Sequence, residues 1–323
     1  MANISTTRRG AATAAVLLGL GAAACVPESG PGPVGSTTTT EATTTTTTTE
    51  VTTTTEAPQA TPLATFSSTA GLATGSPVTV TGTGFDPALI TAPSAQPAVV
   101  GIYVAIGIGD GPVPTTFTSA KYIRPTGPSP ETATGAKLNA DGSFTATINA
   151  VPLFTASGQT VNCYIDACKI FVFSAHTGSQ GSWNFSTPVT FATPSSPIVH
   201  VSKTTNLGAE ETVTVVGAGF ATTYPGIYVW QAPYTNANKP SDWATNADNT
   251  EGAAYLPNTL LAARGGAFRT TVATKDVIGL NDTDCRVEAC TILTVKAHGQ
   301  GVSDDSQTTW TPLAFAPAPA PTP

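Results

Sequence analysis

An internal repeat constrains the fold of this chain of 323 residues more than any other feature. Four motifs recur in the same order: VTVTGTGF (78–85) and VTVVGAGF (213–220), GIYV (101–104 and 226–229), ADGSFTATI (140–148) and RGGAFRTTV (264–272), TPVTFA (187–192) and TPLAFA (311–316). A C-x4-C pair lies between the last two motifs of each copy. The offset stays between 122 and 135 residues, which predicts two homologous domains that meet at TPSSP, residues 193–197.

Each copy has the sequence pattern of β-strands. Val78 and Val80 alternate with Thr79 and Thr81, as expected for a strand with one buried face and one exposed face. The dipeptide Asp141-Gly142 before SFTATI is typical of a tight hairpin turn. Such runs, at about 120 residues per copy and without helical periodicity, predict an all-β fold of two tandem immunoglobulin-like β-sandwich domains.

The N-terminus has the features of an export signal. Arg8 and Arg9 precede the apolar run AATAAVLLGLGAAA, which is shorter than the roughly 20 apolar residues that cross a bilayer as a helix. We predict a signal peptide over residues 1–25. Ordinary secretion is favoured over twin-arginine export, because no SRRxFLK pattern surrounds the two arginines.

Cys25 is the odd member of five cysteines, the other four of which form two matched pairs. It follows Ala22, Ala23 and Ala24 directly at the predicted cleavage point. The segment resembles a bacterial lipobox, whose cysteine becomes the acylated first residue, although Ala22 stands where that motif usually has Leu. The resemblance implies lipidation of Cys25 and a location on the extracellular face of the cell membrane. Cleavage at an A-x-A site alone would instead give a secreted protein.

Low-complexity tracts flank the repeat. Residues 36–56 read STTTTEATTTTTTTEVTTTTE and have almost nothing apolar to bury, so we predict a disordered Thr-rich stalk over 26–59. The stalk is either O-glycosylated or an unmodified linker. The Pro-rich end, 317–323, is predicted to be a disordered tail. The first domain is then expected over 60–193 and the second over 196–316.

The paired cysteines, Cys163 with Cys168 and Cys285 with Cys290, indicate disulfides. Four intervening residues let the chain turn, and directly opposed strand residues lie about 4.5–5.5 Å apart, within disulfide range. An exported protein also meets oxidising conditions. A structural zinc site needs four ligands, whereas each copy offers two cysteines and one histidine, and a redox pair usually reads C-x-x-C at a helix start. We therefore predict two structural disulfides and no metal or other cofactor.

The apolar strand after each pair has two registers. One holds Phe171, Phe173, Leu293 and Val295, and the other holds Ile170, Val172, Ile292, Thr294 and Lys296 and leads to His176 and His298. We expect the register of Lys296 to be the wetter one. A hydrogen-bonding role at a turn is the favoured interpretation of the two histidines, and ligand binding is the alternative.

These motifs together resemble the neocarzinostatin family. The resemblance rests on GTGF or GAGF after a V-x-V strand, an Ile-Tyr strand, a D-G turn, and C-x4-C opening an apolar strand, over about 64–192 and 198–316. That family comprises small actinobacterial apoproteins that hold enediyne antibiotics in a cleft of a seven-stranded immunoglobulin-like barrel. The resemblance implies this fold for both copies, and the two C-x4-C pairs match the second disulfide of the family.

The chain also departs from that family. The other family disulfide has no counterpart after Tyr103 or Tyr228, and Phe173 and Val295 replace a small hydroxyl residue on the strand that forms the cleft. Two domains, a stalk and a lipid anchor are foreign to a diffusible antibiotic carrier. An enediyne function is therefore not carried over.

Composition and motifs argue against two classes of function. The net charge is −7 with 10% charged residues, which does not suit binding to nucleic acid phosphates. The sequence has no G-x-S-x-G nucleophile motif, and GIGDG at 107–111 lies in a Pro-rich stretch with no following helix to receive a phosphate. The NDTD segment at 281–284 is interpreted as a turn before the disulfide in preference to a calcium site. We expect no enzymatic activity.

The favoured hypothesis is a cell-surface module, in which two sandwich domains on a stalk act as an envelope, adhesion or spacer component. Its membrane contact would be through the N-terminal lipid alone, and its surface partner is unidentified. The alternative is a carrier for a small apolar ligand in a cleft beside the C-x4-C hairpin. The lining candidates would then be Tyr103, Tyr228, Trp230, Tyr234 and Trp243, of which the last three belong to the loop sequence WQAPYTNANKPSDW (230–243). Ordinary core and loop packing is the favoured role of both Tyr103 and Tyr228.

Overall fold

The computed structural model describes residues 61–90, 101–175, 181–233 and 251–318. These residues form β-strands joined by turns, and the one α-helix among them is short, Asn258–Ala263. The all-β prediction is confirmed. The predicted signal peptide, Cys25 and stalk lie outside the described residues. Within the described ranges, no helix has both the length and the apolar character needed to cross a membrane.

The first sandwich, residues 61–192, consists of two antiparallel sheets and a two-stranded ribbon. A three-stranded sheet has the order β1-β2-β6, a five-stranded sheet has the order β10-β9-β3-β4-β5, and β7 pairs with β8 in the ribbon. Only the short β5 is parallel to its neighbour β4. The strands are β1 (Leu63–Phe66), β2 (Pro77–Thr83), β3 (Ile102–Ile108), β4 (Thr116–Arg124), β5 (Gly135–Lys137), β6 (Phe144–Asn149), β7 (Leu153–Ala156), β8 (Gln159–Asn162), β9 (Cys168–Ser174) and β10 (Phe185–Pro188).

The second sandwich, residues 198–318, has a similar arrangement. Its sheets have the orders β11-β12-β15 and β14-β13-β18-β19, and β16 pairs with β17 in a shorter ribbon. Its strands are β11 (Ile198–Val201), β12 (Glu210–Ala218), β13 (Ile227–Pro233), β14 (Glu251–Leu256), β15 (Phe268–Lys275), β16 (Val277–Ile278), β17 (Thr283–Asp284), β18 (Cys290–Lys296) and β19 (Thr309–Leu313). The helix Asn258–Ala263 follows β14, at the place in the chain where the first sandwich has β5 after β4.

Each sandwich closes over an apolar core between its two sheets. In the first sandwich, Val78 and Val80 of β2 and Ile106 of β3 are completely buried, and the neighbouring Thr79 and Thr81 of β2 point to the other face. Each such buried side chain contributes about 1.5–3 kcal/mol through removal of apolar surface from water. The alternation of Val and Thr in the sequence therefore marks which face of the strand meets the other sheet.

The repeated motifs meet in space. The main-chain N–H of Phe85, at the end of GTGF, donates to Gly142 O in the D-G turn at 3.0 Å. In the second sandwich the N–H of Phe220 donates to Gly266 O at 3.1 Å. The phenylalanine of each motif is buried against the phenylalanine that follows the turn, with ring centroids 5.3 Å apart for Phe85 and Phe144. This contact explains why the two motifs recur together.

The expected wetter register of the central strands is wrong. Ile170, Val172 and Ile292, which share the register of Lys296, face the core between the sheets. Lys296 lies at the end of β18 and pairs with Asp304 at 2.7 Å, so its charge is not carried into the core. The opposite register is also apolar and buried, so the alternation of polar and apolar residues does not distinguish the two faces.

Candidate functional site

Both predicted disulfides are present. Cys163 is bonded to Cys168 and Cys285 to Cys290, each with a Cα–Cα distance of 5.3 Å. The cysteines are not a cross-strand pair of one hairpin, as the spacing had suggested. Cys163 follows the ribbon strand β8, and Cys168 opens β9 of the large sheet. Each disulfide therefore closes a turn that connects the ribbon to the sheet.

The turn closed by the first disulfide holds the second sandwich. Asn162, which directly precedes Cys163, is completely buried. Its Nδ2 donates to Gly217 O on β12 and to Phe268 O on β15, each at 3.0 Å. Its Oδ1 accepts from the N–H of Tyr164 at 3.0 Å within the turn. The Asn162 side chain is thus fixed on both sides, and it joins the first disulfide turn to a sheet of the other sandwich.

An ion pair extends this contact, which we call the junction. The guanidinium group of Arg269 on β15 pairs with the carboxylate of Asp166 in the disulfide turn and donates to Thr160 O on β8 at 3.0 Å. Asp166 also accepts from the N–H of Asn162 at 2.8 Å. Because Arg269 and Asp166 are partly exposed, we expect their ion pair to contribute little to stability and mainly to orient the disulfide turn relative to β15. Both sandwiches belong to one compact unit.

His200 forms a further contact across the junction. Its Nε2 lies 2.9 Å from Oγ1 of Thr155 on β7, and Thr155 Oγ1 in turn lies 3.0 Å from Thr160 Oγ1. Burial lowers the pKa of His200, because the charged imidazolium loses water there. No local sequence pattern points to this contact, since Thr155 is 45 residues away from His200 and lies in the other sandwich.

The burial of His200 predicts a pH dependence of stability. Its folded pKa lies below the unfolded value of about 6.5, so in mildly acidic solution the unfolded chain binds more protons than the folded chain. The free energy of unfolding should therefore fall as the pH drops below about 6.5. Denaturant unfolding of the wild type and of His200→Gln at pH 7.5 and 5.0 checks this. Equal losses in the two proteins at low pH would contradict it.

Removal of a disulfide should cost similar loop entropy in either sandwich, about 2 kcal/mol for so small a ring. The first disulfide also holds the turn that carries Asn162 and Asp166. We therefore expect the double variant Cys163→Ala, Cys168→Ala to be less stable than Cys285→Ala, Cys290→Ala by about 1 kcal/mol or more. Chemical denaturation of both variants measures the difference. A second-disulfide variant that is equally or more destabilised would contradict the bracing role.

Aromatic rings cover the outer face of the large sheet in the first sandwich. Tyr103 lies 5.7 Å from Phe173, 6.2 Å from Phe117 and 5.2 Å from Tyr122, measured between ring centroids. Phe173 is buried beneath this layer together with Phe171. Tyr103 therefore packs against this apolar cluster on the outer face of the sheet, outside the core between the two sheets.

The second sandwich has a more polar aromatic group at the same face. Tyr228 stacks on Trp230 at 5.1 Å, with an angle of 19° between the ring planes. At the other end of Tyr228 lies a tyrosine–histidine cluster, composed of Tyr224, Tyr228, Tyr255 and His298. Nδ1 of His298 is 3.3 Å from the Tyr228 hydroxyl, and its Nε2 is 3.4 Å from the Tyr255 hydroxyl. Tyr224, which is 66% exposed, stacks on the imidazole.

The structure brings some of the predicted ligand residues together and separates others. Tyr228, Trp230 and His298 share one face, but His298 lies beyond the end of β18, opposite to the disulfide that opens that strand. Trp230 belongs to β13 and is buried, whereas the sequence had placed it in a loop. Its indole Nε1 has no hydrogen-bond partner among the described residues. Tyr234, Trp243 and His176 lie outside the described residues.

Sequence reasoning missed Tyr224 and Tyr255. Tyr255 lies on β14, directly opposite Tyr228 of β13, and its hydroxyl donates to Pro225 O at 2.7 Å. Only the strand register shows this proximity. His298 has a left-handed backbone with φ of 54°, which turns its ring toward the tyrosines at the strand end. In the described ranges, no group of three or more Cys, His, Asp or Glu side chains has the geometry to hold a metal.

No protein-family model and no curated protein matches the chain. Among solved structures, macromomycin is similar at 22% identity, covering 41% of this chain and 99% of its own, with a TM-score of 0.27. A Salmonella alpha-2-macroglobulin mutant is similar at 12% identity, covering 81% of this chain and 15% of its own, with a TM-score of 0.20. A marsupial T cell receptor is similar at 9% identity, covering 80% of this chain and 74% of its own, with a TM-score of 0.22.

Proposed function

We propose that this chain is a non-enzymatic extracellular protein that presents two neocarzinostatin-like, immunoglobulin-fold domains as an envelope, adhesion or spacer module. The proposal places a lipid anchor on Cys25 and a stalk over 26–59, upstream of the sandwiches. Its partner would be another component of the cell surface or the envelope. Secretion without an anchor is the alternative location.

The junction is the observation that supports this proposal. A spacer or adhesion module must hold its binding face at a defined position, and free linkers between domains do not achieve this. Here, the buried Asn162, the Arg269–Asp166 pair and the His200–Thr155 contact join the two sandwiches in addition to the covalent linker at 193–197. The linker also packs against the second sandwich, because Pro194 and Ser196 lie next to the backbone of Gly219.

The location can be tested in cells that express the full chain or the variant Cys25→Ala. We expect the full chain to sediment with membranes, to incorporate an alkyne-labelled fatty acid, and to be digested when protease is added to intact cells. The variant should lack the label and appear in the medium. Unlabelled full chain in the medium would support plain secretion, and full chain protected inside the cells would overturn the proposal.

The adhesion role needs a second measurement with the same strains. We expect cells that display the full chain to bind a surface or to aggregate more than cells that release Cys25→Ala. Asn162→Ala, displayed at equal density, should reduce this binding because its junction is loosened. Equal adhesion by all three strains would leave no support for an adhesion role.

Carriage of a small apolar ligand is a second candidate function. It is supported by the stacked pair of Tyr228 and Trp230 on the outer face of the second sandwich, where the indole Nε1 lacks a hydrogen-bond partner in the described ranges. Aromatic faces of this kind stack readily on flat apolar molecules. Native mass spectrometry of the secreted chain tests this: an adduct on the wild type that is lost in Trp230→Ala and kept in Tyr103→Ala would favour carriage, and a bare mass would oppose it.

A further inference from the structure

An open cavity of about 470 Å³ lies beside β4 of the first sandwich. Its volume is within the range of about 300–1,000 Å³ that is typical of small-molecule sites. Hydroxyl groups of Ser119, Thr132, Thr134 and Thr147 and the amide group of Asn149 line it, together with the charged side chains of Lys121 and Glu131. The cavity therefore offers several hydrogen-bond donors and acceptors next to apolar surface from Ala120, Ala133 and Ile148.

A buried lysine lies in the wall of this cavity. The Lys121 side chain is 6% exposed, and its Nζ donates to Glu131 Oε2 at 3.0 Å. An ammonium group has three N–H donors, and Glu131 is its one hydrogen-bonding partner among the described residues. Two donors of Lys121 are therefore left for a molecule in the cavity. A lysine is rarely buried so far unless its charge is compensated or used.

Glu131 is held in place from two sides. Its Oε2 accepts from Lys121 and from the N–H of Thr147 on β6 at 2.9 Å. Burial alone would raise the pKa of Glu131, but these hydrogen bonds outweigh it and lower the pKa below its usual value. Lys121 and Glu131 thus form a fixed pair of opposite charges, with no net charge, on one side of the cavity.

The second sandwich shows that the fold does not require this lysine. Val104 is paired with Lys121 in the first sandwich, and at the same register position Val229 is paired with Ala254. Both strand pairs contain a β-bulge next to this position. The bulge residue with positive φ is Gly252 in the second sandwich, but it is Ser119, with φ of 54°, in the first. The first sandwich thus has a serine in a backbone conformation that favours glycine, and this serine lies beside a buried lysine. The second sandwich has neither feature at the matching positions.

We propose that this cavity is a binding site for a neutral polyhydroxylated ligand, namely a sugar residue. Neighbouring hydroxyl groups of a sugar can accept from Lys121 Nζ and donate to the Glu131 carboxylate at the same time. The hydroxyl groups of Ser119 and the threonines supply the additional donors and acceptors that such a ligand needs. The site would serve an anchored or a secreted protein alike, so it does not depend on the proposed location or on an adhesion role.

The fixed charge pair favours a neutral ligand over an ion. An anion that approached Lys121 would be repelled by Glu131, whose carboxylate already neutralises the ammonium group. A cation would meet the opposite problem, since Lys121 lies within hydrogen-bonding distance of the carboxylate. A diol uses both members of the pair without displacing either. The absence of a stacking ring among the lining residues indicates that hydrogen bonds, not aromatic contact, would carry the recognition.

The test is a titration of the isotope-labelled full chain, followed by two-dimensional amide NMR, with the methyl glycosides of glucose, galactose, mannose and arabinose. We expect at least one of them to shift the amide signals of Ser119, Thr134 and Thr147 in a saturable way. Lys121→Ala should weaken that affinity by about tenfold or more, because it removes a charged hydrogen-bonding partner. Glu131→Gln should weaken it as well.

Lys275→Ala is the matched control. Lys275 pairs with Glu251 at 3.1 Å on the corresponding edge of the second sandwich, but both side chains are substantially exposed. This variant should bind the glycoside as the wild type does. Ser119→Gly provides a second variant that relieves the left-handed backbone, so we expect it to stay folded and to bind more weakly through the lost hydroxyl.

Three outcomes would overturn the proposal. The first is no saturable shift with any of the four glycosides. The second is unchanged affinity in Ser119→Gly, Glu131→Gln and Lys121→Ala, which would place the sugar elsewhere. The third is displacement of the glycoside by acetate or inorganic phosphate at equal concentration, which would make the cavity an anion site.

Discussion

Replacement of Gly266 by alanine should destabilise the protein by about 3–5 kcal/mol. Gly266 has φ of 84°, and a Cβ atom at this position would lie 2.3 Å from Phe220 O. That carbonyl cannot move freely, because the N–H of Phe220 is bonded to Gly266 O and the Phe220 ring is packed against Phe268. The alanine must therefore either break the contact between the two repeated motifs or distort the core. The loss of unfolding free energy in chemical denaturation measures this.

Gly265 allows the cost of a left-handed backbone to be measured without a steric clash of the added Cβ atom. Gly265 also has positive φ, 60°, but no atom lies within 4 Å of the position that its Cβ would take. Gly265→Ala should therefore cost about 1 kcal/mol, the price of the left-handed conformation alone. Gly142 of the first sandwich repeats the crowded geometry, since a Cβ atom there would lie 2.5 Å from Phe85 O, and Gly142→Ala should behave like Gly266→Ala. Similar losses for Gly265→Ala and Gly266→Ala would show that the close approach is not what matters.

Replacement of Asn162 by alanine should cost about 2–4 kcal/mol. The variant leaves the carbonyl groups of Gly217 and Phe268 buried without their donor, and each such loss removes a hydrogen bond without replacing it by water. Because these bonds cross the junction, we also expect the two sandwiches to unfold in more separate steps. Denaturant unfolding, with amide hydrogen exchange on β12 and β15, reports both effects.

The second copy of the motif supplies the control for Asn162. Asp284 occupies the same place before the second disulfide, and its carboxylate binds Arg286 on the surface. Asp284→Ala should change the stability by less than about 1 kcal/mol, as is usual for exposed ion pairs. If Asn162→Ala and Asp284→Ala have the same small effect, then the hydrogen bonds across the junction contribute little.

The strand content and the contact between GTGF and the D-G turn follow from the sequence, because alternation and turn chemistry are local signals. The sequence does not show which face of β9 and β18 meets the core between the sheets. Both faces of these central strands are covered by apolar side chains, so Ile292 and Leu293 look alike in the sequence although one faces the core and the other faces Trp230. A single charged residue at a strand end, Lys296, was a misleading guide because the end of the strand is already at the surface.

The junction and the cavity were beyond sequence reasoning for a different reason. Asn162 directly precedes the first C-x4-C pair and Asp166 lies within it, but their partners lie on strands of the other sandwich. One signal was present: the two copies differ there, with Asn162 against Asp284. Likewise, Lys121 against Ala254 and Ser119 against Gly252 are differences that only the strand register aligns. In a repeated fold, a polar residue at a position where the other copy has a different residue type can indicate a contact or a site that only one copy forms.

The junction has a mechanical consequence. Two bodies joined by a single peptide segment can pivot about it, whereas a second attachment point removes the pivot. Residues 193–197 provide the first point, and the disulfide turn at Asn162 provides the second. A pull on the C-terminal sandwich is thereby shared between the covalent chain and the turn closed by Cys163 and Cys168. The two sandwiches should therefore move as one rigid body. A partner bound to the second sandwich would then be held in a fixed orientation relative to the first.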